Sequence, residues 1–150
     1  MIDLRIRAAT PQDVDAVLAF WRESAQGSSV SDDVRGVAVL VERDPEALLL
    51  AEADGRIVGS VIAGWDGWRA SLYRLAVLPS YRRRGTSTAL LKAAEERFAA
   101  LGGRRADAMV LEANETGQRL WAAAGYERET RWRRWVKPLA LRAPESVRQG

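Results

Sequence analysis

The sequence contains no cysteine and no histidine. The first absence excludes disulfides, thiolate metal sites and a cysteine nucleophile. The second removes Ser-His-Asp chemistry, histidine general bases and most zinc sites. Any acid–base step must fall to Asp, Glu, Tyr, Lys or water. Lysine is scarce too, with Lys92 and Lys137 the only two, so the basic residues are almost all arginine. No stretch approaches the roughly 18 apolar residues of a membrane-spanning helix. The opening MIDLRIRAAT has neither a long apolar run nor a cleavage signal, so the expected location is the cytoplasm, with no membrane partner.

The 150 residues are 47% hydrophobic and 29% charged. That balance suits one globular domain with a core of its own. The expected domain covers residues 1–139, and Ala140–Gly150, with little to bury, is expected to be a loose tail. A formal net charge of +3 is compatible with a polyanionic ligand.

Alternation over Leu4–Ala8 predicts a strand. Thr10 followed by Pro11 predicts a helix start, and apolar spacing carries that helix to Ala25. Gly27, Ser28 and Ser29 break it. Ser31, with Asp32 and Asp33 in a favourable first turn, starts a second helix to about Arg43. Ala47–Ala53 and Arg56–Trp65 read as antiparallel strands joined by an Asp54-Gly55 turn, where both positions call for positive φ. Arg69–Leu78 is a fourth strand. A long helix follows Gly85 and runs to about Leu101, with Leu90, Leu91, Ala94 and Phe98 on one face. Ala106–Glu112 reads as a buried strand and Gly117–Ala124 as a short helix. Tyr126–Glu129 and Arg131–Lys137 read as two final strands. The order is β-α-α-β-β-β-α-β-α-β-β.

The informative unit is Leu75-Ala76-Val77-Leu78-Pro79-Ser80-Tyr81-Arg82-Arg83-Arg84-Gly85-Thr86-Ser87. A strand ends, a basic loop follows and a helix begins. The free N–H groups of a helix's first turn, small residues and three arginines together make an anion cradle fit for a pyrophosphate. The same run also suits a solvated arginine loop before a helix cap. It is neither a P-loop nor a dinucleotide fingerprint, because no Gly-Lys-Ser/Thr follows and the glycines are not spaced G-x-G-x-x-G.

These residues resemble the acetyl-coenzyme A motif of GCN5-related N-acetyltransferases, Gln/Arg-x-x-Gly-x-Gly/Ala after a strand. Arg82, Gly85 and Ser87 hold its three fixed positions, Ser87 departing from Gly/Ala. Asn114, Leu120-Trp121 and Gly125-Tyr126 resemble the family's downstream Asn…Leu-Tyr-x-x-x-Gly-Phe segment. The resemblance implies an α/β (α+β) fold with a mixed, mostly antiparallel sheet of about seven strands, about four helices, and a splay between the fourth and fifth strands. Acetyl-CoA would be the acyl donor, with no metal. Ala76 and Val77 would pair with the pantetheine arm through their backbones. Arg82, Arg83, Arg84, Gly85, Thr86 and Ser87 would hold the pyrophosphate, and Asn114 and Trp121 would bound the far side. Asn114 has a second reading, as the cap of the helix that follows it. The implied reaction is direct attack of a primary amine, on a small molecule or a protein, on the thioester.

Three positions depart from the family's usual proton-transfer residues: Trp121 stands where a Tyr is common, and Ser71 and Met109 where some members place Glu. Tyr73 and Glu112 are the substitute catalytic candidates. Period-two spacing places Ser71, Tyr73, Leu75 and Val77 on one strand face. It places Glu112 opposite Met109 unless a bulge intervenes. Both residues also have plain structural readings, as do Asp32 and Asp33, which sit where the family meets its acceptor. Trp132-Arg133-Arg134-Trp135 mixes aromatic and basic residues as a nucleic-acid surface can, but an edge strand in a homodimer seam is the preferred reading, with no nucleic-acid partner. The alternative function is a coenzyme A-binding sensor or regulatory domain with little transferase activity.

Overall fold

The computed structural model describes residues 3–25, 27 and 29–140. Ser28 and the tail from 141 onward lie outside the described residues. In chain order the elements are β1 (Arg5–Ala8), α1 (Val14–Ser24), α2 (Val34–Arg43), β2 (Leu48–Ala53), β3 (Arg56–Trp65), β4 (Ala70–Val77), α3 (Thr86–Ala100), β5 (Ala106–Ala108) and α4 (Glu115–Ala123). Short 3-10 turns at Pro11–Asp13 and Pro79–Tyr81 lead into α1 and follow β4. The strands form one sheet in the order β1-β2-β3-β4-β5. The first four are mutually antiparallel, and β5 is parallel to β4.

Each face of the sheet is closed by helices. On one face Trp21 of α1 reaches Ser60 of β3, and Val17, Leu18, Val37 and Val41 are buried with it. On the other, α3 lies so close that a Cβ at Gly59 would stand 3.0 Å from both Leu90 and Thr86. Glycine there lets the helix settle against the strand. Leu90, Leu91, Ala94 and Phe98 are buried on α3, as their spacing predicts, and each large side chain contributes about 1.5–3 kcal/mol by leaving water. The β2–β3 turn also follows expectation, with positive φ at Asp54 (53°) and Gly55 (72°).

Several boundaries shift. The first α-helix begins after a 3-10 turn rather than at Pro11. The second begins at Val34, because Asp33 rather than Ser31 is its N-cap and accepts from the Gly36 N–H at 2.7 Å. The fourth begins at Glu115, capped by Asn114. β5 is three residues long and only partly buried, where a buried strand to Glu112 was expected.

The expected total of about seven strands is corrected to five. Among the described residues, Tyr126–Glu129 and Arg131–Lys137 form no strand. A strand needs a ladder partner, and three residues of β5 offer little backbone to pair with. The alternation over 131–137 therefore has nothing to bury against, and Trp132, Trp135 and Val136 are exposed.

The expected common face of Tyr73 and Val77 is also corrected. Tyr73 stands opposite Ile62 and Ala76 opposite Ser60, so β4 advances three residues while β3 advances two. The extra residue is a β-bulge at Arg74, whose φ is 52°. Residues directly opposite in an antiparallel pair share a face. Ser71, Tyr73 and Ala76 therefore face α1 and α2, whereas Leu72 and Val77 face α3. Ser60 Oγ donates to the Arg74 carbonyl at 2.8 Å and accepts from Trp21 Nε1 at 2.9 Å. Ser60→Ala leaves both partners without their bond in a buried site. It is expected to lower stability by about 1–3 kcal/mol, read as a lower urea midpoint with an unchanged m-value.

At the other edge, Arg7 of β1 donates to Asp13 at 2.7 and 2.8 Å and to Glu52 of β2 at 2.8 Å. The hydrogen bond from Arg7 holds the Asp13 carboxyl well below the usual carboxylate range, with burial opposing it. Stability from a lowered carboxylate is full above its unfolded pKa and is lost as pH falls through the folded one. Asp13→Asn is expected to lower Tm at neutral pH by several degrees. The gap to the parent should narrow as pH is taken below about 4, in paired melting curves.

Candidate active site

β4 and β5 are paired only at Ala70–Ala106, Ser71–Asp107 and Leu72–Ala108. Beyond Leu72 the two strands part, and a cavity of about 1040 Å³ opens between them. One wall is β4 from Leu72 to Val77, and the facing wall is Met109–Leu111 with Asn114, Leu120 and Trp121. The end near α1 and α2 is lined by Trp21, Asp32, Val37 and Leu40. The Leu78 N–H donates to Val58 of β3 at 2.9 Å. Backbone direction alternates along a strand, so the N–H and C=O of Val77 turn to the opposite edge, which β5 leaves uncovered.

The cavity continues to Arg82, Arg83, Gly85, Thr86, Ser87 and Thr88. Arg83 (φ 60°) and Gly85 (φ 81°) are both left-handed, which turns successive amides toward one side as an anion-binding nest does. The first bond of α3 runs from the Ala89 N–H to the Gly85 carbonyl at 3.0 Å. The amides before Ala89 therefore lie outside the helical ladder. A Cβ built on Gly85 would meet nothing within 4 Å, so the backbone is open to a ligand there. Among the described residues no carboxylate pairs with Arg82, Arg83 or Arg84. A polyanion with a long uncharged arm fits this geometry: charge at the nest, and the arm along the open edge of β4.

The structure brings together Tyr73, Ala76, Val77, Arg82, Arg83, Gly85, Thr86, Ser87, Asn114 and Trp121 around this one cavity. Arg84 is outside the lining, with its guanidinium 5.5 Å from the Tyr81 ring centre. Glu112 is outside it too: its side chain is 85% exposed and pairs with Arg128 at 2.7 Å. Asn114 takes the capping role, its Oδ1 accepting from the Gly117 N–H at 2.9 Å, while still lining the cavity. Trp121 meets Tyr126 edge to face at 4.9 Å, and Tyr126 donates to Glu95 of α3 at 2.9 Å. Burial, and then that hydrogen bond, raise the Tyr126 phenol above its ordinary value. It is thus a neutral clamp between α4 and α3.

Sequence reasoning missed Arg74, although a lone charge in the apolar run Leu72–Leu78 was a visible signal. Its Nε donates to Asp32 Oδ1 at 3.1 Å, its Nη2 to Asp32 Oδ2, and its Nη1 to the Gly27 carbonyl at 3.2 Å. The guanidinium also lies 5.7 Å from the Trp21 ring centre. Asp32 is thereby held at the cavity wall, while Asp33 serves the helix start.

A family model described as "Acetyltransferase (GNAT) family" matches residues 14–126. The chain belongs to the GNAT acetyltransferase family. An acetyltransferase of Yersinia pestis (strain Pestoides F) is 34% identical over 124 residues, spanning 83% of this chain and 88% of the relative. An aminoglycoside 6'-N-acetyltransferase from Acinetobacter haemolyticus superposes with a TM-score of 0.74 at 17% identity, covering 91% of this chain and 99% of that one. The PaiA N-acetyltransferase from Thermoplasma acidophilum, solved with coenzyme A, superposes with a TM-score of 0.73 at 20% identity, covering 85% and 91%. This GNAT protein is an acyltransferase, and its split between β4 and β5 is where the fold offers a binding cleft.

Gly85 is the position where this nest is easiest to close. Any side chain meets the positive φ, and a carboxylate adds like charge beside an anion. Gly85→Glu is expected to abolish coenzyme A binding, at least a hundredfold in Kd by calorimetry, while far-ultraviolet circular dichroism stays that of the parent. An unchanged Kd would place the cradle elsewhere.

Proposed function

We propose that this protein is a cytoplasmic N-acetyltransferase that moves the acetyl group of acetyl-CoA to a primary amine by direct attack. The observation that carries this reading is the uncovered edge of β4 running into the left-handed Arg83–Gly85 nest. Ala76 and Val77 would take the pantetheine arm as an added strand. Arg82, Arg83 and the amides through Ser87 would take the pyrophosphate, with Arg84 guarding the approach. Asn114 and Trp121 would bound the arm from the far side. Exposed Trp135 and Val136 support a homodimer through the C-terminal segment.

The amine must be neutral to attack. Its nitrogen forms a bond to the thioester carbon, the oxyanion collapses, and the coenzyme leaves as thiolate. A backbone N–H on the open edge near Val77 would hold the oxyanion. A thiol of pKa near 8.5 leaves tolerably as thiolate, whereas an amine of pKa near 10 is mostly protonated at neutral pH. Deprotonating the amine is therefore the heavier demand, and water in the open cavity meets it. Tyr73 lines the cavity and is 49% exposed, which makes it the side chain best placed to serve as an acid. Glu112, turned outward to Arg128, acts as a base only if the segment after β5 rearranges. The sensor alternative gains no support from the family assignment.

Acetyl-CoA is expected to raise Tm, because binding to the native state adds RT ln(1 + [L]/Kd), and pantetheine lacking the pyrophosphate should do far less. An unmoved melting curve at millimolar acetyl-CoA sinks the donor assignment. With a working amine, kcat/KM should climb between about pH 7 and 9 with the free-amine fraction. A steep alkaline fall that Tyr73→Phe removes would instead make Tyr73 the catalytic acid.

A further inference from the structure

The charged side chains around the cavity are almost all of one sign. Among the described lining residues, Asp32 is the only carboxylate, against Arg74, Arg82, Arg83, Arg119 and Arg134. Asp32 is also already engaged. Both of its oxygens accept from Arg74, and Oδ2 takes the Ser29 N–H at 2.9 Å as well. This pair adds no net negative charge to the wall. The four other arginines have no carboxylate partner among the described residues. Arg82 and Arg83 belong to the phosphate cradle. Arg119 of α4 and Arg134 of the C-terminal segment are left to meet something else, and Arg134 stands apart from every element of the cradle.

A polycationic acceptor would find no free carboxylate here and would be repelled by the wall. An amine that also carries a carboxylate has its negative group matched by a guanidinium fork. The α1–α2 end also presents Trp21, Val37, Leu40 and Ile62, beside the hydroxyls of Ser24, Ser29 and Ser31, and those four apolar side chains suit an apolar body.

We propose that the acceptor is an apolar aminocarboxylate, of the α-amino-acid type, and that Arg134 takes its carboxylate while Trp21, Val37 and Leu40 take its body. The assignment rests on the acetyl-CoA reading above. In the reaction one N–C bond forms and the C–S bond breaks. The amine's second proton goes to solvent, and free coenzyme A is released as the thiol or thiolate.

The test uses the full chain, acetyl-CoA and release of free thiol. The amines are L-leucine, L-phenylalanine, their C-terminal amides, spermidine and kanamycin, with each kcat/KM referred to the free-amine fraction. The two amino acids should exceed their amides by about tenfold or more, the worth of a charge-assisted bond. Spermidine and kanamycin should fall below both. Arg134→Gln and Arg134→Glu should raise KM for the amino acids by about tenfold or more and bring them level with the amides, with the Tm shift from acetyl-CoA unchanged. Preference for a polycation, equal rates for acid and amide, or no effect of the Arg134 variants would overturn the proposal. So would failure of both amino acids to react while acetyl-CoA still raises Tm. If acetyl-CoA does not raise Tm, it is the donor assignment that fails.

Discussion

The cleft depends on one extra residue in one strand. Arg74 occupies a left-handed conformation inside β4, a place where a residue with a Cβ sits at a cost of about 1 kcal/mol or more. That conformation persists because both ends of the residue are held. Its carbonyl takes the Ser60 hydroxyl, which is itself held by Trp21. Its guanidinium is tied to Asp32 and Gly27. A bulge bends its strand and ends regular pairing. Here pairing with β5 stops at Leu72, two residues before the bulge. The placement of Ala76 on the face of α1 and α2 is a consequence of the inserted residue, and the open edge begins beside it.

Two sets of arginines therefore do opposite work. Arg7, Arg74 and Arg97 are each paired with carboxylates and hold elements together. Arg97 of α3 reaches Asp44 after α2, at 2.7 and 2.9 Å, and so joins two helices that pack on opposite faces of the sheet. Arg82, Arg83 and Arg134 line a concave surface and have no carboxylate partner among the described residues. Uncompensated charge stores no folding energy, but it raises the local potential for an anion. The same residue type is thus structural or receptive according to whether a carboxylate lies within reach.

Most of the fold was legible because local signals agreed with tertiary demands. Leu90, Leu91, Ala94 and Phe98 on α3 and the Asp54-Gly55 turn carry their instructions in a few neighbouring residues. The strand–loop–helix that carries Arg82, Gly85 and Ser87 was legible for the same reason, since those residues lie close together in the chain. The bulge was not, because a period-two reading has no provision for an inserted residue, and its cause lies far away at Ser60 and Trp21. The final strands were misread for a related reason. Alternation over Arg131–Lys137 is a permissive pattern, and only the length of the neighbouring strand decides whether a ladder forms. Glu112 fell outside the cavity because β5 ends at Ala108, so strand parity no longer governs the residues that follow.

The short β5 also bears on how the chemistry is arranged. A longer parallel partner would pair with β4 past Leu72 and occupy the backbone groups that an extended ligand arm needs. A cleft formed by ending a ladder early leaves hydrogen-bonding groups that water satisfies in the free protein and an arm satisfies in the complex. Those groups favour an extended, amide-bearing molecule over a compact one. In the proposed complex the nest at Arg83–Gly85 would fix the register, because it is where a doubly charged pyrophosphate would sit, and the arm's length would set where its reactive end lies along β4. The stretch between Val77 and the Arg74 bulge, where the cavity meets the α1–α2 wall, would then receive that end. Chemistry at this position needs no strong acid or base fixed by the protein. Under the proposed mechanism it would need a carbonyl held against a backbone N–H and an amine delivered neutral to its face, and the early end of β5 beside the bulge in β4 leaves backbone open for the first of these.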